Sequence, residues 1–168
     1  NDVVAVDTQS ISEAFLIGND RKFEEDPRFG LVVLSEIAGR ALSPAVNDPG
    51  TAIYIVGVFV RLFAQWSKPA ADSESNSCEY DRVAVPELSA QDMFDDAFTA
   101  IARDGAGAVE VTGRLQKGLA SLASLDDVAM RDAALRHSRM ALARAESVLL
   151  LSEDLQTVRS LASFANER

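Results

Sequence analysis

Residues Asp26 to Ala52 read DPRFGLVVLSEIAGRALSPAVNDPGTA, and this stretch decides the fold. Asp26 before Pro27 and Asp48 before Pro49 each join an N-cap carboxylate to a proline at the first helical position, where a missing backbone N–H costs nothing. Two helices therefore start there. Between them Pro44 pushes Ser43 out of the helical region, so the first helix ends near Leu42. The short AVN run must then turn the chain before Asp48 caps the next helix. The product is a helical hairpin whose polar corner holds Arg40, Ser43, Asn47, Asp48 and Thr51.

The second arm of the hairpin continues from Thr51 to Trp66 as TAIYIVGVFVRLFAQW. It falls short of the roughly 18 consecutive apolar residues of a membrane span and carries Arg61, so a transmembrane helix is rejected. Tyr54, Gly57, Arg61 and Gln65 recur at helical spacing, a narrow polar or small stripe on a cylinder expected near the centre of the core. The β-branched run from Ile53 to Val60 leaves a buried strand as the alternative.

Upstream, Ser10 to Ile17 reads as a short helix stopped at Gly18. Val3 to Val6 and Arg82 to Val85 are short β-prone pieces that would form at most one minimal strand pair. Lys68 to Tyr80 is rich in Ser, Ala, Asp and Glu, and reads as a mobile loop within one domain. Downstream, Ser89 with Asp92 makes an acidic capping box for a helix ending near Gly105 with Met93, Phe94, Ala97, Phe98 and Ile101 inward. Val111, Leu115, Leu119 and Leu122 mark a further helix. Ser124 with Asp127 opens the longest, in which Val128, Leu135, Leu142 and Leu149 form a sevenfold seam. Ser152 is expected to cap the last, with Leu155, Val158, Leu161 and Ala165 inward. The expected fold is all-α, a mostly antiparallel helical bundle spanning residues 1–168 as one domain.

At 168 residues, 48% of them hydrophobic, the chain carries enough apolar side chains for one core. A formal net charge of −10 gives it a field that repels phosphate backbones at long range, so nucleic acid is not an expected partner. The single cysteine, Cys78, excludes an internal disulfide and a thiolate zinc cluster. The opening NDVVAVDTQS has no basic start, apolar run or cleavage site, so no targeting segment is expected in it.

Several residues invite chemistry. Arg40 and the free N–H groups at the start of the Asp48 helix are the parts of a small-anion or polar-ligand site, with Asn47 and Thr51 orienting the ligand. Arg21 and Asp26 would join it if the two helix starts converge. The structural alternative has Asp48 as a cap, Asn47 in an unusual turn conformation and Arg40 paired with Glu36 one turn back. Ser43 has no base nearby, and the sole histidine, His137, lies on another helix, so no catalytic residue is assigned. Asp20, Glu24, Glu25 and Asp26, like Asp92, Asp95 and Asp96, lack the spacing of a calcium loop or a di-iron bundle. Neither a metal nor a cofactor is assigned. Arg131, Arg136, Arg139 and Arg144 make a basic island expected to balance acidic faces within the molecule, with His137 partly exposed among them.

The run IGNDRKFEEDPRFGL followed by LSEIAGRALSPAVNDPGTA resembles a bacterial family of predicted integral membrane proteins known only as a domain of unknown function. Ile17, Gly18, Arg21, Asp26, Pro27, Phe29, Gly30, Leu34, Ile37 and Ala38 carry the likeness, as do Arg40 to Pro44, Asn47 to Pro49, Thr51 and Ala52. Lys22, Phe23 and Gly50 depart from the pattern. The resemblance implies an inner-membrane protein with several spans upstream, this chain being its soluble part on the cytoplasmic side. It implies the protein's own transmembrane region as a partner and carries no activity. The leading expectation is a non-enzymatic module for assembly or sensing, self-associating in the assembly version. A ligand-binding corner and a metal-assisted enzyme rank second and third.

Overall fold

Both Asp-Pro starts nucleate helices in the way their chemistry dictates. The Asp26 carboxylate accepts the Phe29 N–H at 3.0 Å and the Asp48 carboxylate accepts the Thr51 N–H at 3.1 Å, so each cap satisfies one of the donors a helix start leaves open. The computed structural model describes residues 8–13, 18–23, 26–68 and 87–166. Within them the elements are α1 (Thr8–Glu13), α2 (Pro27–Ala41), α3 (Pro49–Trp66), α4 (Ala90–Asp104), α5 (Val109–Ala123), α6 (Val128–Val148), α7 (Ser152–Leu161) and a 3-10 turn, Ser163–Ala165. There is no strand among the described residues, and the all-α reading holds. The strand pair expected from Val3 to Val6 and Arg82 to Val85, and the loop read from Lys68 to Tyr80 beyond Lys68 itself, lie outside the described residues.

The helices close a ring. α2 packs on α3 and α4, α4 on α6, α6 on α5, and α5 back on α3, while α7 lies against α5 and α6. Phenylalanines fill the middle: Phe98 lies within 5.2 to 5.7 Å, centroid to centroid, of Phe59, Phe63 and Phe94, in edge, stacked and tilted arrangements. Ile101, Leu115, Leu119 and Leu122 complete this core. α2 and α3 are antiparallel arms of the expected hairpin. α3 and α5 instead run side by side in one direction, which needs a close approach. A Cβ at Gly118 would sit 3.0 Å from Val60 Cγ2 and 3.2 Å from Val56 Cγ1, so glycine is what lets these backbones come together.

Several sequence expectations move. α3 is a helix and not a strand, but it is not central on all sides: Ala52, Ile55, Val56, Phe59 and Phe63 are buried while Tyr54, Arg61 and Gln65 face solvent. Asp127 is the N-cap of α6, accepting the Met130 N–H at 3.0 Å, whereas the Ser124 hydroxyl bonds the Ser121 carbonyl at the end of α5. Val128, at the first helical position, is exposed and drops out of the predicted seam. The buried residues of α6 are Met130, Ala133, Ala134, Leu135, His137, Ser138, Ala141 and Ala145, and the small ones among them, Ala133, Ala134, Ser138, Ala141 and Ala145, let α4 and α5 approach. Ser152 opens α7 rather than capping it, its hydroxyl held by Glu153 at 2.9 Å. Among the described residues no helix is long and apolar enough to cross a membrane.

Candidate functional site

The corner between α2 and α3 is built by residues that spend their polar groups on one another. The Ser43 hydroxyl donates to the Arg40 carbonyl at 2.7 Å, and the Val46 and Asn47 N–H groups both donate to the Ser43 carbonyl. Asn47 then takes φ of 49°, the left-handed region that asparagine tolerates better than most residues. This reverses the chain, and the Asp48 N–H returns to the Ala41 carbonyl at 2.8 Å. Besides the Thr51 N–H, the Asp48 carboxylate accepts the Thr51 hydroxyl at 2.6 Å. The hydroxyl first and the N–H second hold the Asp48 carboxyl below the usual aspartate value. A Cβ at Gly50 would sit 3.2 Å from Asp48 Oδ1, so glycine there leaves the cap its room.

Arg40 stands apart from this arrangement. It is exposed, and its guanidinium makes no ion pair with Glu36 or Asp48, contrary to the pairing drawn from spacing alone. The corner thus combines a locally satisfied turn with one cation whose donors meet only solvent among the described residues.

Arg21 and Asp26 lie elsewhere. α2 has 15 residues and is about 22 Å long at 1.5 Å per residue, which puts its start at the far end of the hairpin from Asp48. There Arg21 reaches Asp26 Oδ2 through Nε at 2.8 Å and Nη2 at 2.6 Å. That pairing, ahead of the Phe29 N–H, holds the Asp26 carboxyl low. The Arg21 guanidinium lies 4.9 Å from the Phe29 ring centroid, and Phe23 stacks on Phe29 at 4.9 Å.

A second polar cluster, along α4, joins residues that the sequence offers only as separate charged groups. Arg28 of α2 forks onto Asp96 at 2.6 and 3.2 Å, with Asp92 at 3.5 Å. Arg136 of α6 meets Asp95 at 2.9 Å, and His137 Nε2 lies 3.1 Å from the same carboxylate. The three aspartates therefore clamp neighbouring helices. Burial tends to raise the Asp95 pKa, but the Arg136 hydrogen bond and the nearby positive charges bring it below normal.

His137 is 1% exposed, not partly exposed as expected, and is wedged against Phe94 and Phe98. Burial above all, then repulsion from Arg136 and Arg144 working against attraction to Asp95, pushes its pKa down to about 4. It is neutral near pH 7 and turns Nε2 to Asp95, while Nδ1 has no hydrogen-bond partner. No serine, threonine or cysteine among the described residues is bonded to it, so the pair has no nucleophile to activate. In the rest of the basic island Arg131 donates to the Ala123 and Leu125 carbonyls and Arg139 to the Ala165 carbonyl, while Arg144 Nη1 is buried without a hydrogen-bond partner among the described residues. The spacing of single charges could have raised suspicion of the α4 clamp, but its pairings span 41 and 68 positions and leave no local pattern.

Uncharacterized proteins of Mycobacterium bovis and Mycobacterium tuberculosis are similar to this chain, each 58% identical over 40 residues. That segment is 24% of this chain and 8% of each relative, so the chain corresponds to a small part of the mycobacterial proteins. No solved structure matches it significantly. The family described as "Predicted membrane protein (DUF2254)" matches residues 2–121, well over half of the chain and all of the Asp-Pro hairpin, and the chain belongs to that family.

Proposed function

We propose that this chain is a non-enzymatic module of a membrane protein, placed on the cytoplasmic face of the inner membrane, where it docks on and helps to assemble the membrane part. The observation that carries this reading is a recess of about 280 Å³ where the start of α2 meets the end of α3. Pro27, Gly30, Leu31, Leu34, Leu62, Phe63 and Trp66 line it, and its wall is largely apolar. Leu62 and Trp66 remain 46% and 42% exposed on its rim, an unusual place for a large aromatic side chain unless something covers it. The use of Arg28, Asp95, Asp96, Arg136 and His137 as interhelix clamps supports a scaffold more than a reaction centre.

The test has two arms. In sedimentation velocity at micromolar concentration, the assembly version expects a concentration-dependent shift that Leu62→Glu with Trp66→Glu removes; a strictly monomeric wild type counts against it. In the other arm, the chain is added to membranes bearing the rest of the protein. Co-sedimentation of the wild type and not of the double variant supports docking, and equal behaviour of the two sinks it.

A second reading rests on Arg40. Its guanidinium offers five donors, none used among the described residues, beside the Asp48 cap. A polar ligand at Arg40, Ser43, Asn47, Asp48 and Thr51 would bring its own acceptor to Arg40. Because the Asp48 carboxylate already occupies the start of α3, that ligand would be a small polar molecule with a donor for Asp48, in preference to a simple anion. Ligand-dependent thermal shifts lost in Arg40→Ala are its test.

A further inference from the structure

In a chain of net charge −10, two arginines converge where neither has an acidic partner. Gly57, buried on α3, is covered by side chains: a Cβ there would meet Arg114 Nη2 of α5 at 3.3 Å and Arg61 Nη1 of α3 at 3.6 Å. The two guanidinium tips are therefore within about 7 Å of each other, inside one Debye length at physiological salt, where like charges repel. Neither makes a hydrogen bond or ion pair among the described residues, although carboxylates outnumber cations in the chain. Lys117, one turn beyond Arg114 on the exposed stripe of α5, is likewise without a partner. Arg114 and Lys117 also border a cleft of about 440 Å³ between α3, α5 and α7. Arg28 and Arg136 are neutralised by carboxylates and Arg131 is bonded to carbonyls. Arg40 also lacks a partner, so what sets this place apart is that two guanidinium tips converge.

We propose that Arg61 and Arg114, converging over Gly57 with Lys117 alongside, form a binding site for a phosphoryl group. Their donors come from two parallel helices, which suits the tetrahedral oxygens of a phosphate more than a planar carboxylate held by one fork. An anionic phosphate placed there relieves the repulsion between the two guanidiniums. Glu110, four residues before Arg114 on the same stripe and in the same cleft, makes no ion pair and is the internal competitor for Arg114. The site lies on the α3–α5 side and not on the apolar recess between α2 and α3, so it stands or falls separately from the docking reading. The same chemistry is offered by an anionic lipid headgroup and by a soluble phosphorylated compound.

The experiment uses the 168-residue chain with two probes. These are vesicles of phosphatidylcholine with and without phosphatidylglycerol, and inorganic phosphate and pyrophosphate followed by thermal shift. Because the net charge repels an anionic surface, retention on the phosphatidylglycerol vesicles has to come from a local cluster. The expected result is binding that weakens on the order of tenfold in Arg61→Gln with Arg114→Gln and strengthens in Glu110→Gln, with circular dichroism unchanged in these exposed-position variants. Binding to the anionic vesicles alone assigns the site to a lipid headgroup. A midpoint raised by phosphate or pyrophosphate assigns it to a soluble phosphate. No binding of either probe, or equal binding by wild type and the double variant, overturns the proposal.

Discussion

At the corner between α2 and α3, Ser43, Asn47, Asp48 and Thr51 settle their hydrogen bonds inside a dozen positions of sequence and in open solvent. Along α4, Asp95 and Asp96 reach partners 41 and 68 positions away, and the histidine they include is closed off by phenylalanines. The corner decides where the chain turns. The clamp decides how α2, α4 and α6 sit against one another. The first kind of cluster is replaceable piece by piece, because water takes over any bond that is lost; in the second the ion-pair side chains keep 19–54% exposure, and it is His137, 1% exposed, that has no water to turn to.

The largest difference between them is expected in acid. His137 has a folded pKa of about 4 against an ordinary 6.5, so between those values the unfolded chain takes up a proton that the folded chain refuses. Stability from this source is complete above pH 6.5 and falls as the pH drops towards 4, by at most about 3 kcal/mol. The Asp95 carboxyl, held below its normal value, adds a loss of the same sign further down in the carboxylate range. Urea midpoints taken at half-unit steps should decline between pH 6.5 and 5 for the wild type, and the decline should flatten in His137→Gln. Parallel curves for the two proteins would mean that His137 is not the group responsible.

Ser138→Ala is next. The Ser138 hydroxyl donates to Gln116 Oε1 at 2.6 Å and the Gln116 amide donates to the Ser138 carbonyl at 3.0 Å, both residues being buried between α5 and α6. Removing the hydroxyl strands a buried acceptor, a loss of about 1–3 kcal/mol. Gln116→Leu with Ser138→Ala should recover part of it, since two apolar groups leave nothing unsatisfied. A double variant no more stable than Ser138→Ala alone would show that packing, not the stranded oxygen, sets the cost.

These two predictions also mark the line between what the residues disclose and what they conceal. Asp-Pro starts, the Ser89 cap and the 3.6-residue periodicity of Met93, Phe94, Ala97, Phe98 and Ile101 are local, and each appears in the fold where it was read. The corner is legible for the same reason, down to Asn47 taking the turn conformation. His137, Gln116 and Ser138 escaped because a polar residue on a helix reads as exposed until the partner on another helix is known. Arg40 with Glu36 failed the opposite way: the one-turn spacing permits a pair, yet an exposed pair gains too little over hydration to hold two long side chains together. The Arg61–Arg114 convergence was equally hidden, since it depends on α3 and α5 running parallel over Gly57.

Asp48→Ala should cost less than the acid loss at His137 or than Ser138→Ala. It removes the cap on the Thr51 N–H and the bond from the Thr51 hydroxyl, but both donors face solvent and rehydrate. A fall of roughly 2–4 °C in the thermal midpoint is expected, and Thr51→Val made on top of it should add almost nothing, because the hydroxyl bond it removes is already lost with Asp48. A collapse of the fold in Asp48→Ala would mean that the corner is as costly to break as the α4 clamp.

Arg40→Ala should be smallest of all. An exposed guanidinium with no bond to lose leaves only the helix propensity of alanine and the mild attraction of a cation for the end of α2, which oppose each other and together stay within about 0.5 kcal/mol. That neutrality is what makes the variant informative. A residue whose removal does not disturb the fold can be screened without ambiguity, so a polar compound that raises the wild-type midpoint and leaves Arg40→Ala unmoved would place a ligand at the corner. If a broad panel of such compounds moves neither protein, the corner is a turn and nothing more, and the search for a ligand moves to Arg61, Arg114 and Lys117 on the α3–α5 side.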